Sequence, residues 1–176
     1  MWTSVVVFCV VVALAKGQGS TEVSQCLNFP GDLPLNTDIE GCVTPPCQLP
    51  QLQDVVLHLT FRAPYTIHKM TTLARAYLSI GIISIPVDYA LEENAVTCNF
   101  LTNTYCPVLR GEIVQYTLRM YIESFFPVGT AVTIEFRVVD DNEVSILCLR
   151  VPVRIVDPVA GRISAQNTTL TEIEIK

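Results

Sequence analysis

The chain has 176 residues, long enough for one well-buried domain and marginal for two. Half of it is apolar and only 16% is charged, which excludes a disordered tail. Eleven Lys and Arg against 17 Asp and Glu leave a formal charge of −6, the wrong sign for a nucleic-acid partner.

Residues 1–15 read as a signal peptide. The apolar run Val5 to Ala15 is eleven residues long, within the roughly 7 to 15 of a signal core and short of the ~20 needed to span a bilayer. Ala13-Leu14-Ala15 supplies the small-x-small cleavage pattern. An exported, soluble protein is therefore expected.

Cysteine usage agrees with export. Cys9 leaves with the signal, and Cys26, Cys42, Cys47, Cys98, Cys106 and Cys148 remain, an even number that reads as three disulfides. Six cysteines allow 15 connectivities in principle. Cys42 and Cys47 flank Val43-Thr44-Pro45-Pro46, and Cys98 and Cys106 bracket a loop rich in Asn and Thr, so each pair is placed to close locally, leaving Cys26 with Cys148. Metal is not expected, since no Cys-x-x-Cys occurs and neither His58 nor His68 has a ligand-like spacing to a cysteine.

From Asp54 onward the hydrophobic period is two. Val55, Leu57, Leu59 and Phe61 alternate with polar neighbours, and so do Ala74, Ala76, Leu78 and Ile80. Val114 to Ile122, Val132 to Val138 and Leu147 to Ile155 repeat the pattern. Each strand has one greasy side, and turn signals separate them: Ala63-Pro64, Cys106-Pro107, Pro127-Val128-Gly129 and Asp140-Asp141-Asn142. The expected fold is all-β, an antiparallel sandwich, with Asp88 to Val96 as the one place for a helical turn. Pro152, inside a strand, belongs on an edge or at a bulge.

Constellations of catalytic type are missing: no Gly-x-Ser-x-Gly, no His-Glu-x-x-His and no phosphate-cradling glycine loop occur. His58 on a polar strand face and His68 in a turn are expected to be solvated, and Asp140-Asp141 to be a turn rather than paired catalytic carboxylates. An enzyme is not expected, nor any cofactor. The lone tryptophan, Trp2, sits in the signal, and the inward positions are Val, Ile, Leu and Ala. Such a pattern suits a closed core or a hollow one.

Gly41-Cys42-Val43-Thr44-Pro45-Pro46-Cys47-Gln48-Leu49, Thr60-Phe61, Cys98, Cys106-Pro107, Phe126-Pro127 and Leu147-Cys148-Leu149-Arg150-Val151-Pro152-Val153-Arg154-Ile155-Val156 together resemble the ML lipid-recognition family. The nearest branch is that of the small secreted Niemann-Pick type C sterol-transfer proteins and their arthropod relatives. The resemblance implies an immunoglobulin-like sandwich over residues 26–157, after a lead-in at 16–25 and before a polar tail at 158–176 that holds the sequon at Asn167. It also implies the disulfides Cys26–Cys148, Cys42–Cys47 and Cys98–Cys106, and a single lipid held dry between the sheets.

On that resemblance the cavity is expected to be lined by Val55, Leu57, Leu59, Leu78, Ile80, Val114, Tyr116, Leu118, Ile122, Phe126, Val132, Ile134, Phe136, Leu149 and Val151. Tyr116 is the expected polar tip for a ligand hydroxyl. Ile122, Phe126 and Pro127 mark the mouth. About four extra residues before Cys98 leave Ile85, Val87 and Tyr89 as candidates for its other side, and the tryptophan usual near Leu149 is absent. The expected protein is a monomeric, secreted or lysosomal carrier of a sterol or similar lipid, passing its cargo to a membrane or a lipid-accepting membrane protein. The competing readings are capture of bacterial lipid and an immunoglobulin-like protein-binding module. Nucleic acid is excluded as a partner.

Overall fold

The computed structural model describes residues 19–80 and 82–159. The signal segment, the Ile80 side chain and the Asn167 sequon lie outside the described residues. Nine strands follow in order: β1 (Ser24–Gln25), β2 (Asn36–Ile39), β3 (Cys47–Pro50), β4 (Asp54–Arg62), β5 (Met70–Ile80), β6 (Ile83–Tyr89), β7 (Ile113–Tyr121), β8 (Ala131–Asp140) and β9 (Ser145–Val156). The five long strands that period two marks are β4, β5, β7, β8 and β9; β4, β7, β8 and β9 bury most of the side expected of them, whereas on β5 Ala74 is buried, Ala76 and Leu78 are half-buried and Tyr77 of the opposite face is buried. Short 3₁₀ turns at Glu92–Ala95 and Thr97–Phe100 follow β6. Asp88 and Tyr89, where a helical turn is allowed by sequence, belong instead to β6.

The strands form an all-β, immunoglobulin-like sandwich. The larger sheet runs β1-β9-β8-β5-β6, with β3 also on β9, and the smaller runs β2-β4-β7. All pairs named in these two sheets are antiparallel except β3 with β9, which is parallel. That arrangement accommodates Pro152, where β9 is locally an edge on one side. Pro152 pairs with Thr133 of β8 and, on its other side, falls between Arg150, opposite β1, and Val153, opposite β3. No partner there requires the N–H that proline lacks.

Leu57, Leu59, Tyr116 and Leu118 of the small sheet meet Ile134, Phe136, Leu149 and Val151 of the large one in one core. The lead-in is structural from Thr21 onward. Thr21 is buried, its N–H donates to the Thr37 carbonyl at 2.7 Å, its hydroxyl donates to Cys42 O, and Ser24 pairs with Arg150. The packed unit therefore begins ahead of Cys26. Asp140 shapes the β8–β9 turn by accepting hydrogen bonds from the backbone N–H groups of Asn142 and Val144 and from the Tyr65 hydroxyl. His58 is not simply solvated: it bonds Thr117 Oγ1 at 2.9 Å and Glu40 at 3.3 Å.

The disulfides are Cys26–Cys148, Cys42–Cys47 and Cys98–Cys106, the pairing that loop length favours. Cys42–Cys47 ties the end of β2 to the start of β3, so it crosses from one sheet to the other. Cys26–Cys148 spans 122 residues and pins the 27–32 loop onto β9. That loop lies so close that a Cβ on Gly31 would stand 2.9 Å from Cys148 N, and its φ of +131° is open only to glycine.

Loop-closure entropy grows with the enclosed length, giving about 5 kcal/mol for the 122-residue link against about 2 kcal/mol for the five-residue one. Paired Cys26→Ala and Cys148→Ala is therefore expected to lower the unfolding free energy at least twice as much as paired Cys42→Ala and Cys47→Ala. Urea titration followed by circular dichroism measures both.

Candidate functional site

The two sheets differ in width. Three strands cannot cover five, so the inner face of β5 and β6 runs out from under the small sheet. Facing residues follow from register: Ala74 opposite Tyr89, Ala76 opposite Val87, Leu78 opposite Ile85. Two alanines at the centre of this face leave room that larger side chains would fill. Between them and the end of β7 lies a cavity of about 270 Å³.

Of the residues expected to line a cavity, Leu78, Ile122, Phe126, Val132 and Ile134 do so, together with the mouth candidates Val87, Tyr89 and Pro127. Seven more wall it that the sequence does not single out for this role: Leu49, Ala74, Ala76, Met120, Tyr121, Thr130 and Ile155. Val55, Leu57, Leu118, Phe136 and Val151 border not the cavity but its narrow continuation, a seam of about 10 Å³ that shares Leu49, Met120 and Ile134 with it. That volume is at the lower limit for one water molecule, and the walls are apolar, so the seam is dry.

Four expected lining residues are elsewhere. Leu59, Val114, Tyr116 and Leu149 sit in the close-packed core, each at most 2% exposed. Tyr116, the expected polar tip, does not line the cavity. Its hydroxyl bonds Thr72 Oγ1 at 2.8 Å, and Thr72 bonds Thr97 at 2.7 Å, so three buried hydroxyls satisfy one another. Burial pushes the Tyr116 phenol up to about 12, with the bonds to Thr72 and Thr97 pulling the other way. Ile85 lies on the exposed part of the inner face beyond the cavity wall.

The mouth is held by backbone bonds. Leu52 N–H donates to Ile122 O at 2.7 Å, Gln51 Nε2 donates to Ser124 O at 3.2 Å and to Phe126 O, and Gly129, at φ +88°, donates to Ile155 O at 2.9 Å. Phe126 packs on Phe125 and Tyr89, with ring centroids 4.3 and 5.9 Å away. The Tyr89 hydroxyl donates to Tyr121 O at 2.8 Å, bridging the two sheets across the side of the cavity. Burial raises its phenol above the ordinary value, helped by the charges of Glu123 and Glu92. Around the opening Ile82, Ile83, Ile85, Val87, Phe125 and Val128 are exposed.

Comparison with known proteins adds a family to this geometry. A family model described as ML domain matches residues 20–155. The chain is 20% identical over 123 residues to the NPC intracellular cholesterol transporter 2 of Danio rerio, covering 70% of this chain and 77% of that protein. To the protein of the same name from Mus musculus it is 24% identical over 118 residues, covering 67% and 74%. In three dimensions it is similar to a Niemann-Pick type C2 protein from the Japanese carpenter ant, with a TM-score of 0.63, 15% identity, and coverage of 76% of this chain and 98% of that one.

The separation of Tyr116 from the cavity is open to test. Because its value of about 12 lies above the ordinary 10, its contribution to stability is complete below pH 10 and is lost as the pH rises through 12. Tyr116→Phe is expected to lower stability by about 1 kcal/mol near neutral pH, the net worth of one hydrogen bond. It is also expected to flatten the alkaline decline and to leave ligand affinity within about twofold. Denaturant titrations from pH 7 to 12 and a ligand titration read all three.

Proposed function

Because the chain belongs to the ML-domain family, we propose that it is an exported, non-enzymatic carrier that holds one hydrophobic molecule, a sterol or a lipid of similar girth, between its sheets. The observation that supports this most directly is the apolar cavity between β5, β6 and the end of β7, open at the Phe126 rim. Its only side-chain oxygens are those of Thr130, Tyr89 and Tyr121, and the Tyr89 hydroxyl is already bonded across the sheets. Affinity then comes from removing apolar surface from water. A sterol-sized ligand burying roughly 400 Å² gains about 10 kcal/mol gross, from which ordering and association subtract.

The empty volume of about 270 Å³ lies just under the roughly 300 to 1,000 Å³ of ordinary ligand pockets. A sterol therefore projects through the mouth or parts the sheets along the dry seam. Met120, with its unbranched and adaptable side chain, borders both volumes and is the residue best suited to yield.

Release requires that the cargo cross from cavity to acceptor without meeting water. The exposed rim of Ile82, Ile83, Ile85 and Phe125 is placed to seat against a bilayer or an acceptor protein. A formal charge of −6 opposes docking on anionic leaflets, and acidification, which begins to protonate carboxylates of ordinary values near 4, eases the repulsion. The carrier is proposed to act as a monomer, in extracellular fluid or an acidic lumen.

Ala76→Phe fills the centre of the cavity from its wall, and Ile122→Trp blocks it from the mouth. Each is expected to weaken binding of a fluorescent sterol and of a long-chain fluorescent fatty acid by about tenfold or more with the strand content unchanged. Retained affinity in both variants overturns the cavity as the binding site. In liposome transfer, delivery to anionic membranes is expected to be faster at pH 5 than at pH 7. Equal rates at both pH values and on both anionic and neutral membranes point instead to hand-over between proteins.

A further inference from the structure

The wall of the apolar cavity holds one polar side chain without a partner. Thr130 stands directly before β8, and the bond from Ile155 N–H to Thr130 O, 2.9 Å, extends the β8–β9 ladder by one residue beyond Ala131, which is opposite Arg154. That register gives Thr130 the parity of Val132 and Ile134, the inward side of the strand, and all three line the cavity together with Ile155. Thr130 is half-buried, and among the described residues no hydrogen bond engages its hydroxyl.

The polar groups around it are already used. Thr130 N–H donates to Pro127 O at 3.1 Å, Ile122 N–H to Gln53 O at 3.0 Å, and Phe126 N–H to Glu123 O at 3.3 Å. The carbonyls of Ile122 and Phe126 accept from Leu52 and Gln51, and that of Tyr121 accepts the Tyr89 hydroxyl. Tyr121 itself falls on the outward side of β7, out of step with the buried Leu118 and Met120, and is 40% exposed. In an apolar space the placement of one free hydroxyl discriminates between guests. A cargo whose polar group reaches it exchanges a bond to water for a bond to protein, and a polar group carried to any other part of the wall is left unpaired. Among the described residues no charged side chain lines the cavity, so an ionised group brought inside finds no counter-charge. The charges that reach the Tyr89 phenol at the mouth are those of Glu123 and Glu92, which repel an anion.

We propose that Thr130 sets the chemistry of the cargo head: the cargo is a neutral lipid with one hydroxyl, an alcohol or a sterol, and that hydroxyl is held by Thr130 Oγ1. Thr130 lies beside Pro127 at the mouth end, so the bond also orients the guest, with its hydrocarbon directed toward Met120 and the dry seam. The proposal rests on the carrier reading above and narrows it. The shape of the cavity admits an alcohol, a fatty acid or a bare hydrocarbon alike, and the Thr130 hydroxyl separates them.

The test uses two pairs of ligands that differ only by chlorine in place of hydroxyl: cholesterol with cholesteryl chloride, and 1-tetradecanol with 1-chlorotetradecane. Each displaces a fluorescent sterol from the wild-type protein and from Thr130→Val, with the affinity of the probe itself measured for each variant. Valine keeps the branched shape and loses the oxygen. Thr130→Val is expected to weaken the two alcohols by about threefold to tenfold, the worth of one hydrogen bond, and to leave the two chlorides within about twofold. Thr130→Ser, which returns the hydroxyl without the methyl, is expected to bring the alcohols back to within about twofold of wild type. A role confined to packing gives the reverse order, since valine is closer to threonine in shape than serine is. On the wild-type protein at pH 7, tetradecanoate is expected to displace the probe at least tenfold less effectively than tetradecanol. Equal losses for alcohols and chlorides in Thr130→Val, or no loss for either, overturn the hydroxyl site and leave the carrier standing. Tetradecanoate binding as tightly as tetradecanol overturns the neutral head. Failure of the probe and all four ligands to bind the wild-type protein overturns the carrier reading and this one with it.

Discussion

The unequal width of the two sheets is the constraint on which everything else here depends. A β-sandwich closes when the apolar face of each sheet is met by the other. Here β2, β4 and β7 pack over most of β9 and β8, leaving Val132, Ile134 and Ile155 at the border, while β5 and β6 continue beyond. Side chains cannot relax into the uncovered region because Ala74 and Ala76 are too short to cross it, and the wall opposite them is fixed by Leu52 N–H on Ile122 O. The space that remains is apolar and nearly free of side-chain hydrogen-bonding groups, so water gains little by entering and a hydrophobic guest gains its whole transfer free energy.

The same mismatch decides what the sequence discloses. Period two locates the five long strands because each has one side in the core, and that alternation survives without knowledge of the partner. β2 and β3, four residues each, are too short to show a period, and β1 has only two. β6 does alternate, Ile83, Ile85 and Val87 against Ser84, Pro86 and Asp88, but its apolar side is exposed and its proline argues against a central strand. Pro86 is tolerated because β6 is the sheet edge. Which inward residues face empty space is a different question from which face inward. Leu59, Leu149 and Val114 have the same pattern as Leu78 and Val132, and only the position of the small sheet's border separates core from cavity. The Tyr116 hydroxyl is taken up by Thr72 and Thr97, from segments 44 and 19 residues away, a pairing invisible to local spacing.

Polar strand faces are equally dependent on what covers them. Tyr77 and Glu135 occupy positions that alternate correctly for solvent, yet both are buried, because the Cys26–Cys148 link draws the 27–32 loop and Phe29 across the outer face of the large sheet. Gly31 permits that approach by presenting no Cβ to the β9 backbone. The disulfide thus does more than restrict the unfolded chain. It covers part of the outside of the sheet, where the Glu135 carboxylate has Arg75 and Arg150 on the two adjacent strands and Arg137 two residues along its own.

Rigidity is distributed unevenly along the sandwich. At the end away from the mouth, Cys98–Cys106, the Ile67 bridge to Val108 and the Thr72, Thr97 and Tyr116 hydroxyls tie the sheets and the 3₁₀ turns together. On one side Cys42–Cys47 fastens the small sheet to the large. At the mouth the sheets are joined by the Tyr89 to Tyr121 hydrogen bond, by the bonds of Gln51 and Leu52 to Ile122, Ser124 and Phe126, and by side-chain packing of Phe126. Hydrogen bonds and cystine have one good geometry, whereas contacts among Met120, Leu49 and Ile134 have many of nearly equal energy. Opening the seam between Met120, Leu49 and Ile134 disturbs weakly directional contacts and no disulfide, and the hydrogen bonds at the mouth set how far the sheets can part there. Were the proposed cargo larger than the cavity of about 270 Å³, the side bordered by Met120 is where room could be made without the loss of a cross-sheet covalent tie.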